Sequence, residues 1–172
     1  YNPEQWDETV WAQDVELMSK AGVNLVNVAV FGWANLEPER GRFDFTLYDR
    51  VFDLLHEGGI AVDLATGTAS PPAWLVRAHP EMLPVTAAGR VLGFGSRQSW
   101  CPSSPIYRER SLALVGAVAE HFADHPALAL WHVSNELGCH NSRCYCEVSA
   151  EAFRRWLRRR YADLDALNGA WG

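Results

Sequence analysis

Three short apolar segments rich in β-branched residues alternate with longer segments of helical periodicity. The apolar segments span residues 24–30, 60–65 and 128–133. Each is almost continuously apolar, which is typical of strands that are buried on both faces of a parallel sheet. Parallel strands need a helical crossover between them, so the alternation predicts an α/β fold built from βαβ units.

Capping residues mark where the helices between these strands begin. Asp7 precedes an apolar stripe and is a favourable N-cap. Ser104 followed by Pro105 is a typical helix start, because proline is well tolerated at the first helical position. Two further helices are predicted around residues 47–55 and 153–164.

Two architectures fit this order of elements, an open doubly wound sheet and a (β/α)₈ TIM barrel. No glycine-rich phosphate loop follows any predicted strand, so the main sign of a nucleotide-binding open sheet is missing. A barrel is therefore favoured, and a complete barrel takes about 250 residues. We expect residues 1–172 to be the N-terminal half of such a domain, a fragment with about the first four βα units.

Charge and hydropathy argue against two classes of partner. The net charge is −6, from 15 Lys and Arg against 21 Asp and Glu, whereas nucleic acids and anionic membranes attract basic surfaces. The arginines within residues 154–160 flank aromatic residues of one predicted helix, and a solvated helix face explains them better than a nucleic-acid site. No stretch reaches the roughly 18 apolar residues of a membrane span, and no signal peptide opens the chain.

The segment from residue 68 to residue 104 shows no convincing periodicity and is rich in proline and glycine. Ordered loops of this length are uncommon and are usually functional. Because the segment follows a predicted strand, we expect it to cover the catalytic face of the barrel.

Asn135 and Glu136 stand where the third apolar segment ends. The carboxyl ends of strands carry the active sites of parallel α/β proteins, so this pair is a candidate for glycoside hydrolysis, which uses two carboxylic acids. Glu136 can serve as the acid, and the amide of Asn135 can both donate to and accept from a sugar hydroxyl. A polar cap at the end of a strand is the alternative.

Arg97 lies close to Gly93 and Gly95, which allow the backbone to approach a ligand. Its guanidinium fork can hold sugar hydroxyls or orient a carboxylate. A surface arginine without a ligand remains equally compatible with the sequence.

Four cysteines raise the question of a metal site. Cys139, Cys144 and Cys146 are too clustered for a framework of stabilising disulfides, and with the distant Cys101 they have the character of a tetrahedral thiolate site. Their spacing is not that of a standard zinc finger, and buried cysteines without a metal are the alternative.

A series of motifs in chain order resembles the N-terminal half of the family 42 glycoside hydrolases, β-galactosidases of the clan A (β/α)₈ barrels. Those of residues 69–75 and 93–97 are the most particular to this family. The resemblance covers essentially the whole chain, and its remaining motifs lie at residues 1–6, 31–45, 132–136 and 164–172.

The resemblance implies a role for each candidate residue. Glu136 would be the acid/base of a retaining double displacement, and Asn135 and Arg97 would bind the galactosyl unit. The nucleophile of the family is a glutamate on the seventh strand, which this sequence does not contain, so the chain alone should not complete a turnover. No organic cofactor is implied.

The family also contains members with a structural zinc ion held by four cysteines. The corresponding positions here are Cys101, Cys144, Cys146 and Ser149. Serine thus stands where the last ligand is expected. Either Cys139 takes its place, or the zinc ion is weakly held or absent.

The expected substrates are terminal β-galactosides such as lactose or galacto-oligosaccharides. Another retaining clan A glycosidase, a β-glucosidase or arabinosidase, is an alternative because the Asn-Glu strand end is common to the clan. A non-catalytic half barrel that binds carbohydrate or metal is a third, and its open edges would favour aggregation or dimerisation. The family resemblance further implies a homotrimer of the full-length protein, and the clustered thiols fit the cytoplasm.

Overall fold

A computed structural model describes residues 1–95, 98–139 and 141–172, and it contains a three-stranded parallel sheet with helical crossovers. The strands lie in the order β1, β2, β3, and β2 is central. They are β1 (Leu25–Val28), β2 (Ala61–Ala65) and β3 (Leu128–His132). The helices are α1 (Glu8–Lys20), α2 (Trp33–Leu36), α3 (Thr46–Glu57), α4 (Ala73–Ala78), α5 (Pro105–Phe122), α6 (Glu147–Arg160) and α7 (Leu164–Trp171).

The predicted helix starts are confirmed at two caps. The Asp7 carboxylate accepts a hydrogen bond from the Thr9 backbone N–H at 2.9 Å, one residue before α1 begins. The Ser104 hydroxyl accepts from the Tyr107 N–H at 3.3 Å, and Pro105 is the first residue of α5. Both side chains satisfy N–H groups that have no partner within their own helix.

The core lies between the sheet and the crossover helices. Val62 and Leu64 of β2 are fully buried, as are Phe52 of α3 and Leu114 of α5. These residues belong to one apolar cluster, in which Phe52 packs against Phe122 with ring centroids 4.6 Å apart. Because the three strands run parallel, their carboxyl ends meet at one edge of the sheet.

The pairing between β2 and β3 contains one irregularity. Val62 pairs with Leu128, but the next residue of β2, Asp63, pairs with Leu130. Ala129 is therefore an extra residue in β3, which is the arrangement of a β-bulge. From Asp63 onward the pairing is regular, and Ala65 is opposite His132.

The sequence-based prediction of the elements was wrong in three details. The predicted helix at 153–164 is two helices, because Tyr161 is extended and Asp163 caps α7 by accepting from the Ala166 N–H at 2.8 Å. The segment 68–104 contains the short helix α4, which is too brief to show periodicity. Finally, the described residues form three strands where about four βα units were expected. The amino group of Tyr1 donates to the Asn27 carbonyl of β1 at 2.7 Å.

The far side of β3 and the helix that follows it are open to solvent. Leu130 and Val133 are 53% and 75% exposed. Helix α6 buries none of its residues, and Phe153 and Trp156 stack on each other at its surface. Open edges and exposed apolar side chains are what a half barrel was expected to present. No helix within the described ranges is long and apolar enough to cross a membrane.

Candidate active site

Asn135 and Glu136 follow the last strand at the edge where all three parallel strands end. Strand β3 ends at His132, and the intervening Val133 carbonyl accepts a hydrogen bond from the Thr66 hydroxyl at 2.8 Å. Thr66 directly follows β2, and its N–H donates to the His132 carbonyl at 3.1 Å. The two strand ends are thereby held side by side, and the candidate pair begins two residues beyond Val133.

The two candidate residues differ in exposure and backbone conformation. Asn135 is half-buried and Glu136 is exposed within this chain. Glu136 has a φ of 45°, in the left-handed region that residues other than glycine rarely adopt. Its carbonyl accepts from the Cys139 N–H at 2.9 Å, so the chain turns sharply after the carboxylate. The turn leaves the Glu136 side chain at the open end of the sheet.

Gln98, which belongs to the long segment between β2 and α5, forms hydrogen bonds with the backbone of this turn. Its side-chain amide donates to the backbone carbonyls of both Asn135 and Glu136. Gln98 is only 3% exposed and also has a positive φ, of 54°. The segment expected to cover the catalytic face thus does reach the candidate acid. Arg97, the predicted galactosyl ligand, lies outside the described residues.

The segment that carries Gln98 is itself anchored at several points. The Gln98 N–H donates to the Ala69 carbonyl at 3.0 Å, and the Asn141 side chain donates to the Trp100 carbonyl at 3.0 Å. The Trp100 ring stacks on Tyr107 of α5 with centroids 4.2 Å apart. These contacts connect the segment to both flanking loops and to a crossover helix.

A buried ion pair fixes the loops that follow β1 and β2. Glu37 is fully buried, and its carboxylate accepts from the Trp33 indole N–H at 2.9 Å and the Gly41 N–H at 2.8 Å. Arg110 of α5 supplies the counter-charge. The Glu37 backbone carbonyl in turn accepts from the Trp74 indole N–H at 2.8 Å. Glu37 therefore contacts two loops at this edge of the sheet, one through its carboxylate and one through its backbone carbonyl.

Neither Gln98 nor Glu37 was singled out as functional from the sequence. Gln98 follows Arg97 in a glycine-rich segment, but nothing in the local pattern distinguishes a buried glutamine from an exposed one. For Glu37 a signal did exist. Trp33 stands four residues before it, and the indole N–H of a buried tryptophan needs an acceptor.

Three of the predicted metal ligands are brought together by the fold. The sulfur atoms of Cys101, Cys144 and Cys146 all lie within 4.8 Å of one another, and those of Cys101 and Cys146 are 3.5 Å apart. A tetrahedral zinc site with sulfur ligands at about 2.3 Å places the sulfurs roughly 3.8 Å apart. The three thiols therefore fit three corners of such a site.

The fourth corner differs from a four-cysteine site. The Ser149 hydroxyl lies 3.1 Å from the Cys101 sulfur, where a fourth ligand would stand. Cys139 is exposed and does not belong to the cluster, so the expectation that it might replace the missing ligand was wrong. It follows Gly138 in the turn after Glu136, whose carbonyl accepts from the Cys139 N–H.

The protonation of the thiols differs within the cluster. Burial raises the pKa of Cys101 to about 12. Burial also acts to raise the pKa of Cys144, but hydrogen bonds, the strongest from the Val85 and Cys146 backbone, outweigh it and lower the value to about 7. The Val85 N–H lies 3.4 Å from the Cys144 sulfur. Cys144 is thus the thiol that is most readily deprotonated of these two.

Comparison with known proteins places these features in a family. A family model for glycoside hydrolase family 42, described as beta-galactosidase, matches residues 1–172. A beta-galactosidase of Arthrobacter sp is 58% identical over 172 residues, and beta-galactosidase BbgII of Bifidobacterium bifidum is 51% identical over 172 residues. Both alignments cover 100% of this chain and 25% of the relative.

Solved structures agree with the sequence comparison. The beta-galactosidase of the psychrophilic Marinomonas ef1 matches with a TM-score of 0.96 at 43% identity, covering 100% of this chain and 26% of that one. The enzyme of the Antarctic haloarchaeon Halorubrum lacusprofundi gives 0.95 at 45% identity, again covering 100% and 26%. The predicted fold, part of a (β/α)₈ barrel, is thereby confirmed. The chain spans about a quarter of the length of the curated relatives that it matches.

Proposed function

The chain belongs to the glycoside hydrolase family 42 β-galactosidases, and from this premise we propose that the protein carrying it hydrolyses terminal non-reducing β-D-galactosides with retention of configuration. The observation that carries the proposal is the position of Glu136. It stands on a sharp turn four residues after the end of a parallel strand, at the edge where such barrels perform their chemistry.

In the proposed mechanism Glu136 first acts as an acid and then as a base. It protonates the oxygen of the departing aglycone while a second carboxylate attacks the anomeric carbon and forms a galactosyl–enzyme ester. Glu136 then removes a proton from water, which attacks the same carbon and releases galactose. Asn135, and Arg97 by the family pattern, hold the galactosyl unit through its hydroxyl groups.

The second carboxylate has to lie about 5 Å from Glu136 in a retaining enzyme. We propose that it comes from a part of the protein outside these 172 residues. The curated relatives are about four times as long as this chain, which leaves ample room for it. The exposure of Glu136 in this chain is consistent with an active site that residues from outside these 172 complete.

Replacing Glu136 by glutamine in the complete natural protein tests the assignment. We expect kcat/KM for lactose to fall about 10²- to 10⁴-fold, because the amide cannot donate the catalytic proton. Azide should restore part of the activity on an activated aryl galactoside by attacking the galactosyl intermediate without base assistance. The matched control is Glu147→Gln, an exposed carboxylate paired with Arg154, which should leave the rate unchanged.

The same assay separates galactosidase activity from its nearest alternative. A panel of nitrophenyl galactosides, glucosides and arabinosides compares kcat/KM for sugars that differ in one or two hydroxyl groups. A clear preference for the galactoside supports the proposal. A preference for the glucoside or arabinoside would assign the chain another substrate, and full activity of Glu136→Gln would remove this residue from the mechanism.

A structural zinc ion bound by Cys101, Cys144 and Cys146 is a further part of the proposal. Zinc would join the segment before α5 to the start of α6, stabilising the loops without entering the reaction. Alkylation with iodoacetamide followed by mass spectrometry tests it. Zinc should protect Cys144 and Cys146, whereas the exposed Cys139 serves as the internal control and should react with or without the metal.

For the complete protein we further propose a homotrimer, from the family resemblance, and a cytoplasmic location, from the clustered thiols. Light scattering coupled to gel filtration measures the first, and cell fractionation the second. A monomeric mass or secretion into the medium would contradict the respective proposal.

A further inference from the structure

The Asn135–Glu136 turn is held by a side chain that no catalytic step requires. Gln98 is almost completely buried, and its amide group donates to the two successive carbonyls of the turn. A buried amide that meets two backbone carbonyls has both of its N–H donors occupied. Such a side chain acts on the backbone of the catalytic residues and leaves their side chains available to substrate.

The backbone conformation at both ends of this contact is unusual. Gln98 and Glu136 have φ values of 54° and 45°, a conformation that residues with a Cβ rarely adopt. Strained conformations persist where the surrounding contacts determine them. Here the paired hydrogen bonds join one strained residue to the other.

The remaining contacts of Gln98 make it a fixed support. Its N–H donates to the Ala69 carbonyl at 3.0 Å, and its own carbonyl accepts from the Asn141 side chain at 3.4 Å. Ala69 belongs to the loop after β2, and Asn141 to the loop after β3. Both loops thus fix the position of Gln98, and the hydrogen bonds of its side-chain amide fix the turn relative to them.

We propose that Gln98 is a positioning residue that aims the Glu136 carboxyl at the departing glycosidic oxygen by fixing the left-handed turn. The inference rests on the proposed function and adds a residue to it. If the turn relaxes, the proton donor moves relative to the leaving group, whereas the galactosyl unit keeps its other contacts. A displacement of about 1 Å at a reacting group can cost 10²-fold in rate.

The experiment compares two substrates in the complete natural protein. Gln98→Met keeps the length of the side chain and removes both donors. Because lactose needs protonation of its leaving alcohol and 2,4-dinitrophenyl β-galactoside does not, we expect kcat/KM, which reports formation of the galactosyl–enzyme, to fall at least about tenfold on lactose and less than about threefold on the aryl substrate. KM for lactose should change little. The control, Thr86→Val, removes one side-chain hydrogen bond of the same segment, to the Arg90 N–H, and should leave both rates unchanged.

Each outcome decides between positioning and general support of the fold. Equal losses on both substrates, or a rise in KM with kcat unchanged, would overturn the inference. If Gln98→Met does not fold, Gln98→Glu repeats the comparison, since a carboxylate of the same shape also lacks the two donors. Failure of the proposed function gives a different result, because the wild-type protein would then not cleave either galactoside and Glu136→Gln would have no effect.

Discussion

Removing the positive charge from the buried Glu37–Arg110 pair should destabilise the protein more than any exposed charge change. In Arg110→Met the Glu37 carboxylate stays fully buried and keeps two neutral donors, Trp33 and Gly41, but has no counter-charge. Breaking a buried ion pair costs about 3–5 kcal/mol. Because two hydrogen bonds remain, we expect a loss near the lower bound, about 3 kcal/mol.

Differential scanning calorimetry at a fixed scan rate measures this loss. For a folding unit of 150–250 residues, 1 kcal/mol corresponds to a change in Tm of about 2–4 °C, so Arg110→Met should lower Tm by roughly 6–12 °C. The control is Arg42→Met. Arg42 and its partner Glu39 are 59% and 72% exposed and 3.2 Å apart, and such a pair contributes less than about 1 kcal/mol.

A second variant separates the charge from the packing. Glu37→Gln combined with Arg110→Met leaves no buried charge and retains an amide oxygen that accepts from Trp33 or Gly41. We expect the double variant to recover more than half of the lost stability. If Arg110→Met melted within 1 °C of the wild type, or if the double variant were less stable than the single one, the buried charge would not be what holds these loops.

Two further changes test the thiol cluster and the close packing of Gly67 against the Trp33 backbone. Ser149→Cys should raise the affinity for zinc at least about tenfold, measured by competition with a chromophoric chelator, because it supplies the fourth thiolate beside Cys101; an unchanged affinity would show that the position is not a ligand site. Gly67→Ala should destabilise more than Gly89→Ala in urea unfolding. Both glycines have positive φ, of 73° and 76°, but only at Gly67 would the new Cβ lie 3.2 Å from the Trp33 backbone nitrogen; equal losses would contradict a steric role.

The order of strands and helices was predictable because its signals are local. Asp7, Ser104 and Pro105 fix helix starts by contacts within one turn, and the apolar segments mark the strands by composition alone. The boundary between α6 and α7 was missed because Tyr161 continues the apolar periodicity while its backbone is extended. The spacing of apolar side chains does not reveal a break between two helices when the second helix continues the same spacing.

The candidate site was predictable only in part. Glu136 and Asn135 could be found because the end of a buried strand is visible in the sequence. Gln98 and Glu37 act through partners 37 and 73 residues away, namely the Asn135 carbonyl and Arg110, and contacts of such separation leave no local trace. Cys101, Cys144 and Cys146 lie together in the structure and Cys139 lies apart from them, because sequence proximity does not show which way a turn directs a side chain.

The extra residue in β3 determines the side of the sheet to which each later residue of the strand points. Successive side chains of a strand point to opposite sides, so a change of one residue exchanges the two sides. Ala129 shifts β3 by one residue against β2 before Ala65 meets His132. Deleting Ala129 while Leu128 stays opposite Val62 would advance the chain by about 3.3 Å and reverse the sides to which its later residues point. The side to which His132 points at the end of this strand, from which the chain continues to the candidate acid, thus depends on a small apolar residue three positions earlier that carries no charge.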